Sequence, residues 1–409
     1  MDIVSDRLRV TVVSQYYPPE THGALPDSLA RELARRGHDV RVVTSFPNHP
    51  YGRVFPGWRQ RLRHLERDRG IAIRRVPMVP DHSGRALRRI LAYVSFGVSV
   101  LAATRFVRGS DVVYVYCAQP TAAVAPMLWR RLLGIPFVLH VQDIWPESVT
   151  GSDMLPSGVV TKAVRAVLLR ALRVLHGAAA GVVAISPGAA QLLIDRGADP
   201  DRTSVCRNWG RPDAVADRSA VTQAPGTHVV YAGTIGPNQG LDAVVIAAAR
   251  CADLPDLSFT FVGDGIALDA LRALAARAGA HDIVFRPPVA PDDMPSVHAS
   301  ADFEIVALRD VAMSAVTIPS KLQDAMAHGV PVIAAVPGDA ADLVASSGAG
   351  FVVTPEDVDE LEAAFRAAHA TDAGERARLS SRARTTAERT MHVDAATDHL
   401  EHVLRKAAA

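Results

Sequence analysis

Hydrophobic and polar positions alternate along this chain in two different ways. Short runs such as RVTVVS (9–14), HDVRVVTS (38–45), DVVYVYC (111–117), PFVLHVQD (136–143) and GVVAIS (181–186) are apolar nearly throughout and end in loops. Between them lie longer stretches with apolar residues at helical spacing: ALPDSLARELARRG (24–37), MLWRRLLG (127–134) and KAVRAVLLRALRVLHG (162–177). The first two strands are joined through a helix, with no turn short enough for a hairpin, so they form a βαβ unit. Strands apolar on both sides predict a parallel sheet covered on both faces.

From Arg207 to His228 the pattern lapses into turn formers and small polar residues, read as a linker over 208–228. It then restarts as HVVYAG, LSFTFVG, DIVFRPP, FEIVALRD, VPVIAAV and GFVVTP, six strands interleaved with helices. From Val358 onward the pattern is helical. The expected architecture is α/β: two Rossmann-like doubly wound domains, 1–207 and 229–385, with a helical tail over 386–409 packing back on the first. Two such domains are expected to face a cleft, because ligands of open α/β sheets bind at the carboxyl ends of strands.

Composition adds limits. The 409 residues, 49% hydrophobic and 21% charged, suit two globular domains, and a formal net charge of +1 gives no global field for nucleic acid. Cys117, Cys206 and Cys251 are widely spaced and match no metal-ligand pattern; they read as reduced thiols of a cytoplasmic protein. The N-terminus lacks the apolar core of a secretory signal. The most apolar stretch, Ile90 to Thr104, falls short of the ~20 residues of a spanning helix. With the arginines of 59–75 and 85–99 it suggests a membrane-surface patch on the inner face. The favoured alternative is a helix buried all round, with arginines solvating loops.

Lysine is scarce: Lys162, Lys321 and Lys406 stand among a crowd of arginines. Lys321 lies in IPSKLQDAMAHGVPV (318–332), where Ser320 reads as a helix N-cap and Asp324 follows one turn on. Free N–H groups and the positive dipole end at a helix start suit a diphosphate. Lys321 adds a charge, and Asp324 can accept from adjacent ribose hydroxyls. An ordinary capped helix with a solvated lysine fits the spacing equally well.

PSKLQDAMAHGVPVIA resembles the donor-site signature of the family-4 retaining glycosyltransferases, which have the GT-B fold. It is similar in particular to their bacterial O-antigen and capsule branch, which includes N-acetylfucosamine transferases. QYYPPE (15–20), GHDVRVVTSFPNHPYG (37–52), VQDIWPES (141–148), AISPG (184–188), YAGTIGPNQGLD (231–242), FVGDG (261–265) and GDAADLV (338–344) agree in order over nearly the whole chain. The resemblance implies an N-terminal acceptor domain and a C-terminal domain holding a nucleotide-diphosphate sugar as co-substrate. It also implies transfer of a hexosyl or N-acetylhexosaminyl group with retention, to a polyprenyl-linked saccharide or natural-product hydroxyl.

The departures lie at the donor. Relatives carry two glutamates eight positions apart; here those positions hold Val316 and Asp324. The loop GTIGPNQG lacks their arginine and lysine, offering Thr234 and Gln239 instead. A diphosphate leaving group needs compensating charge, so Lys321, with Arg309, is expected to supply it. Gly233 and Gly236 suit a backbone approaching phosphate, Gly263 and Asp264 form a wall or a plain turn, and Asp339 is a donor contact or a helix cap. On the acceptor side the candidates are Gly23 in THGA, Glu147, and, as catalytic groups, Asp143 and His140 at a strand end; a core role for His140 is the commoner outcome. No DxD motif follows a strand, Asp292-Asp293 reads as a solvated helix start, and neither metal nor other cofactor is expected. A GT-B sugar-nucleotide epimerase and a non-catalytic sugar-nucleotide binder remain as alternatives.

Overall fold

The computed structural model describes residues 7–81, 86–147, 159–210, 226–280 and 282–409. The chain divides into two compact units, Met1–Cys206 with Ala396–Ala409, and Arg207–Ala395. The second unit therefore runs on to Ala395 rather than stopping at 385. Most of the expected linker, 211–225, falls outside the described residues.

The first unit is built on an eight-stranded sheet. Its elements are β1 (Arg9–Ser14), α1 (Ala24–Arg35), β2 (Asp39–Ser45), β3 (His64–Asp68), β4 (Ile71–Val76), α2 (Ala86–Val100), β5 (Val112–Cys117), α3 (Val124–Leu133), β6 (Phe137–Val141), α4 (Val159–Ala178), β7 (Gly181–Ala184), α5 (Pro187–Asp195) and β8 (Thr203–Val205). The strand order is β3-β4-β2-β1-β5-β6-β7-β8, parallel except for β3, which pairs antiparallel with β4. Val12 sits opposite Val42 on one side and Tyr114 on the other. Val12, Val42 and Tyr114 are all fully buried, as strands covered on both faces require. Residues from Ala396 onward close this unit. Arg36 on α1 bonds Asp398 (2.5 Å) and Glu401 (3.2 Å), and His399 meets Ser204 (2.9 Å).

The arginine-rich stretch 59–75 corrects the sequence reading. It contains the β3–β4 hairpin, and Arg75 is buried rather than solvated. Arg75 donates to Glu66 (2.7 Å), the Ser45 carbonyl (2.9 Å) and the Pro18 carbonyl (2.5 Å), and stacks over Trp58. A second correction concerns α2. With the turns that continue it, it belongs to a helical run, Leu87–Val107, long and apolar enough to cross a membrane. It is not buried all round. Ala92, Phe96, Val100, Ala103 and Val107 face the core, whereas Leu87, Leu91, Val94 and Val98 are exposed.

The second unit contains β9 (Thr227–Ala232), α6 (Leu241–Ala249), β10 (Leu257–Val262), α7 (Leu268–Ala278), β11 (Ile283–Arg286), α8 (Met294–Ser300), β12 (Phe303–Ala307), α9 (Ser320–Ala327), β13 (Val332–Ala335), α10 (Asp339–Ser347), β14 (Gly350–Val353), α11 (Val358–Ala370) and α12 (Ala373–Thr390). The last helix, α13 (Val393–Ala408), crosses into the first unit. Six parallel strands run β11-β10-β9-β12-β13-β14, the doubly wound order. The order in which strands are added reverses between β9 and β12, which opens the crevice beyond their carboxyl ends to a ligand. Aromatic pairs such as Phe259–Phe365 and Tyr231–Phe261 fill one side of the sheet, and the apolar face of α9 fills the other. Each fully buried side chain of this size contributes about 1.5–3 kcal/mol.

Candidate active site

The switch point of the second unit holds a cavity of about 400 Å3 lined by Gly233, Thr234, Gln239, Met294, His298, Ser320, Lys321 and Asp324, with neighbouring backbone. The loop after β9 forms one wall and the start of α9 another. Pro319, with extended backbone, is the N-cap of α9 and makes no side-chain cap bond. Ser320 is thus the first helical residue, not the cap. Its exposed position leaves the amides of Ser320 and Lys321 turned to the cavity, while those of Leu322 and Gln323 bond the Pro319 carbonyl (3.0 and 3.3 Å).

Lys321 is the one lysine or arginine among those lining residues. Its Nζ donates to the Tyr231 hydroxyl (2.7 Å) and to Gln239 Oε1 (2.6 Å), and lies 4.3 Å from the Tyr231 ring centroid. The Tyr231 hydroxyl donates its own hydrogen bond to the Thr234 carbonyl (2.5 Å), which leaves a lone pair for the lysine. Among the described residues no carboxylate forms a salt bridge with Lys321. Burial pushes its ammonium down to about 7, against the opposing pull of the buried Glu304 carboxylate. The lysine is held straight by neutral partners, with a third N–H left for a ligand.

Two glycines shape that wall by close approach. A Cβ on Gly263 would lie 1.9 Å from the Gly233 carbonyl, and its φ of +153° is unfavourable for other residues. Gly263 therefore lets the ends of β9 and β10 touch. A Cβ on Gly233, at φ +141°, would lie 3.5 Å from Lys321 Cε.

One cluster went unread in the sequence. His298 on α8 lines the cavity and hydrogen-bonds the buried Glu304 on β12, while its ring stacks at 4.3 Å on His328, the C-cap of α9. Burial opposes the charged form of His298, but Glu304 outweighs it, with help from Asp324, and the imidazole titrates above its ordinary value. VHASADFEIV shows no periodicity that would single His298 out. Its partner comes from the next strand and its stacking neighbour from another helix.

The other donor-side expectations divide. Gly236 opens the turn Pro237–Gln239 beside the cavity. Asp264 is exposed and its carboxylate accepts from the Gly265 amide (2.7 Å), a local turn bond. Asp339 begins α10 behind the N-cap Gly338, off the cavity wall. Arg309 is a correction. Its guanidinium takes both Asp242 oxygens (3.0 Å each), Glu356 and the Pro237 carbonyl (2.7 Å), so its charge is neutralised where it clamps the loop before α6.

In the first unit, His140 is also a correction. It is fully buried in β6, with Nδ1 on the Tyr114 hydroxyl (2.6 Å) and Nε2 on the Cys206 carbonyl (3.2 Å), and burial pushes it down to about 4. It is a satisfied core histidine, neutral at pH 7. Asp143, just beyond β6, keeps a solvent-facing edge while crowded by protein, which lifts its carboxyl to about 6 against the pull of Arg89. It remains a candidate acid–base group. Glu147 accepts from Arg196 (2.8 and 3.0 Å) and Arg165 (3.1 Å). Burial raises its carboxyl, but those bonds outweigh it and leave it below the ordinary range. That engagement makes Glu147 an anchor for α4 and α5. Gly23 caps α1, where any Cβ would lie 2.4 Å from the Tyr17 Cα. Glu20, unread in the sequence, accepts from the Asn48 and His49 amides (2.7 Å each) and ties the loop after β1 to the loop after β2.

Tandem doubly wound units, one presenting a lysine and a bare helix start at its switch point, define a glycosyltransferase of the GT-B class that uses nucleotide sugars. Residues 26–209 match the glycosyl transferase 4-like domain and 226–370 the glycosyl transferases group 1 domain, so glycosyltransferase domains account for most of both units. The colanic acid biosynthesis glycosyl transferase WcaI of Escherichia coli (strain K12) is 29% identical over 385 residues, 88% of this chain and 92% of that protein. A GDP-mannose-dependent alpha-mannosyltransferase of Mycolicibacterium smegmatis is 28% identical, covering 92% of each chain. Among solved structures, Anabaena HepE in complex with UDP and glucose matches with a TM-score of 0.69 at 19% identity, over 98% of this chain and all of that one. Sucrose-phosphate synthase from Thermosynechococcus elongatus matches at 0.72 and 16%, over 98% of this chain and 99% of that one.

Proposed function

We propose that the chain transfers a hexosyl or N-acetylhexosaminyl group from a nucleotide-diphosphate sugar, with retention and without a metal, to a hydroxyl of a polyprenyl-linked saccharide or natural product. The work belongs to cell-envelope polysaccharide synthesis on the cytoplasmic side, in the O-antigen and capsule branch of the family. The colanic acid and mannosyltransferase names of its relatives support this reading. The observation that carries it is Lys321, held by neutral partners over the free start of α9.

The diphosphate is placed on the amides of Ser320 and Lys321, with the ammonium countering the charge that grows as the anomeric C–O bond breaks. Asp324 takes the ribose hydroxyls. The acceptor oxygen bonds the anomeric carbon on the face the phosphate leaves, and its proton passes to the departing phosphate oxygen. Thermal shift against UDP-, GDP- and TDP-sugars tests the donor, since binding to the native state raises stability. One nucleotide sugar is expected to raise Tm, and turnover with acceptor in chelator is expected to give the retained anomer by NMR. An inverted product, or turnover lost in chelator and restored by a divalent cation, overturns the mechanism.

A further inference from the structure

The donor cavity holds a second ionisable group, which the transfer chemistry above leaves unused. His298 on α8 is 2% exposed, yet it lines the cavity together with Lys321 and Asp324. Its Nδ1 is bound to Glu304 on β12, a carboxylate as deeply buried as the histidine. Its Nε2 has no hydrogen-bond partner among the described residues, so the cavity is where that nitrogen is left to be satisfied. The strand neighbours of Glu304 are Phe303, Ile305 and Val306, all in the apolar core. A buried ion pair adds little stability over apolar packing. A pair set into this wall with one nitrogen unspent therefore points to a ligand.

The position of His298 along α9 says which part of a ligand it meets. Ser320, Asp324 and His328 recur every four residues, so they lie on one face of α9 from its first turn to its C-cap. Each step advances ~6 Å. The His298 ring stacks on His328, and the Asp324 carboxylate is near enough to favour its charged form. His328 itself titrates below its ordinary value, because burial and the His298 charge both oppose its protonation. The stack thus carries its charge on His298, at the Asp324 end of the cavity. With the diphosphate on the amides of Ser320 and Lys321, the nucleoside is the part of the ligand that extends to His298.

Asp324 and His298 are chemically complementary. A carboxylate only accepts hydrogen bonds, a protonated imidazole only donates them, and a hydroxyl does both. A ribose diol held by Asp324 alone gives up its protons and leaves its oxygens without a donor. The Nε2–H of His298 supplies that donor, and Glu304 fixes which nitrogen carries it into the cavity.

We propose that His298 is a specificity-determining residue of the donor site, which with Asp324 reads the ribose hydroxyls of a ribonucleoside diphosphate. The inference rests on the nucleotide-sugar reading above. The test is calorimetric titration of the full chain at pH ~6, where Lys321 and His298 are both protonated. UDP, GDP and TDP are titrated first, then the 2′-deoxy and 3′-deoxy forms of the ribonucleotide that binds. The wild type is expected to bind the ribonucleotide ~10-fold or more tightly than the form lacking the recognised hydroxyl. His298→Ala is expected to weaken the ribonucleotide by ~10-fold, to leave the deoxy form nearly as before, and so to close the gap. His298→Ala strands the Glu304 carboxylate, so His298→Leu with Glu304→Met is measured beside it, with far-UV spectra and Tm to show folding. Failure of all three nucleotides to bind overturns the nucleotide reading and this inference with it. Binding to the wild type that ignores both ribose hydroxyls, or that favours TDP over UDP and GDP, overturns this inference alone. So do folded variants that keep the gap, or that weaken ribo and deoxy forms equally, because His298 then only props the cavity or touches the base.

Discussion

Lys321 pays an energetic penalty for the burial of its charge. Its folded value of about 7 lies below the ~10.4 of an unfolded lysine. The unfolded chain therefore holds more protons between those values, and this group's contribution to stability rises as pH climbs through that window. At and below pH 7 the buried charge destabilises the fold. Lys321→Met is accordingly expected to raise the Tm of the donor-free protein at neutral pH and to remove the further rise given by nucleotide sugar. Donor affinity of the native enzyme should also fall above pH ~7, by up to ~10-fold per pH unit, because the cation that meets the diphosphate must first be protonated. Calorimetric titration across pH checks this, and a flat profile would mean the diphosphate is held without the lysine. Lys321 stood out in the sequence because lysine is rare here and sits at a helix start. His140 could not be sorted the same way: a strand-end histidine looks the same whether its nitrogens meet a substrate or, as here, Tyr114 and the Cys206 carbonyl.

At the scale of elements, the loops after β9 and β10 act as one piece because two backbones touch. Gly263→Ala drives a methyl into the Gly233 carbonyl at a φ that disfavours alanine. The expected result is a loss of ~3 kcal/mol or more, or a shift of the Gly233 loop, and in either case donor affinity at least ~10-fold weaker. Urea unfolding and donor titration separate the two, since a shifted loop weakens binding without moving the urea midpoint. The FVGDG run announced a turn but not its neighbour, because periodicity reports which side a residue faces and never which backbone lies across from it. The same blindness hid the edge hairpin. HLERDRGIAIRR has a run of four charges and then three apolar residues before its arginine pair, and only the fold shows that Arg75 is turned inward to hold three segments together. Arg309 was misplaced for a related reason, as Asp242 and Glu356 approach it from distant parts of the chain.

Across the whole molecule the sequence was most legible where one rule governs long stretches. Uniformly apolar strands alternating with helices require parallel sheets, and both sheets have the expected central strands. The exposed face of α2 was not legible, because an apolar helix has the same composition whether protein or lipid covers it. The closing of the first unit by residues beyond 395 is likewise a packing fact. Leu400 and Leu404 are fully buried, and Cys206 lies against the Ala396 carbonyl. Removing 396–409 is expected to lower the unfolding temperature of the first unit by several degrees. Stabilisation of the second unit by nucleotide sugar should persist, as two transitions in scanning calorimetry will show.

That discontinuity also orders the birth of the protein. A ribosome reading from the first codon finishes β8 of the sheet long before it reaches the helix that covers Leu400 and Leu404. The first unit must wait, its last helix site open, while the whole of the second unit is made and folds. Chains stalled or nicked in the second unit leave a first unit that is nearly complete yet unsealed, and an apolar groove for a chaperone to hold.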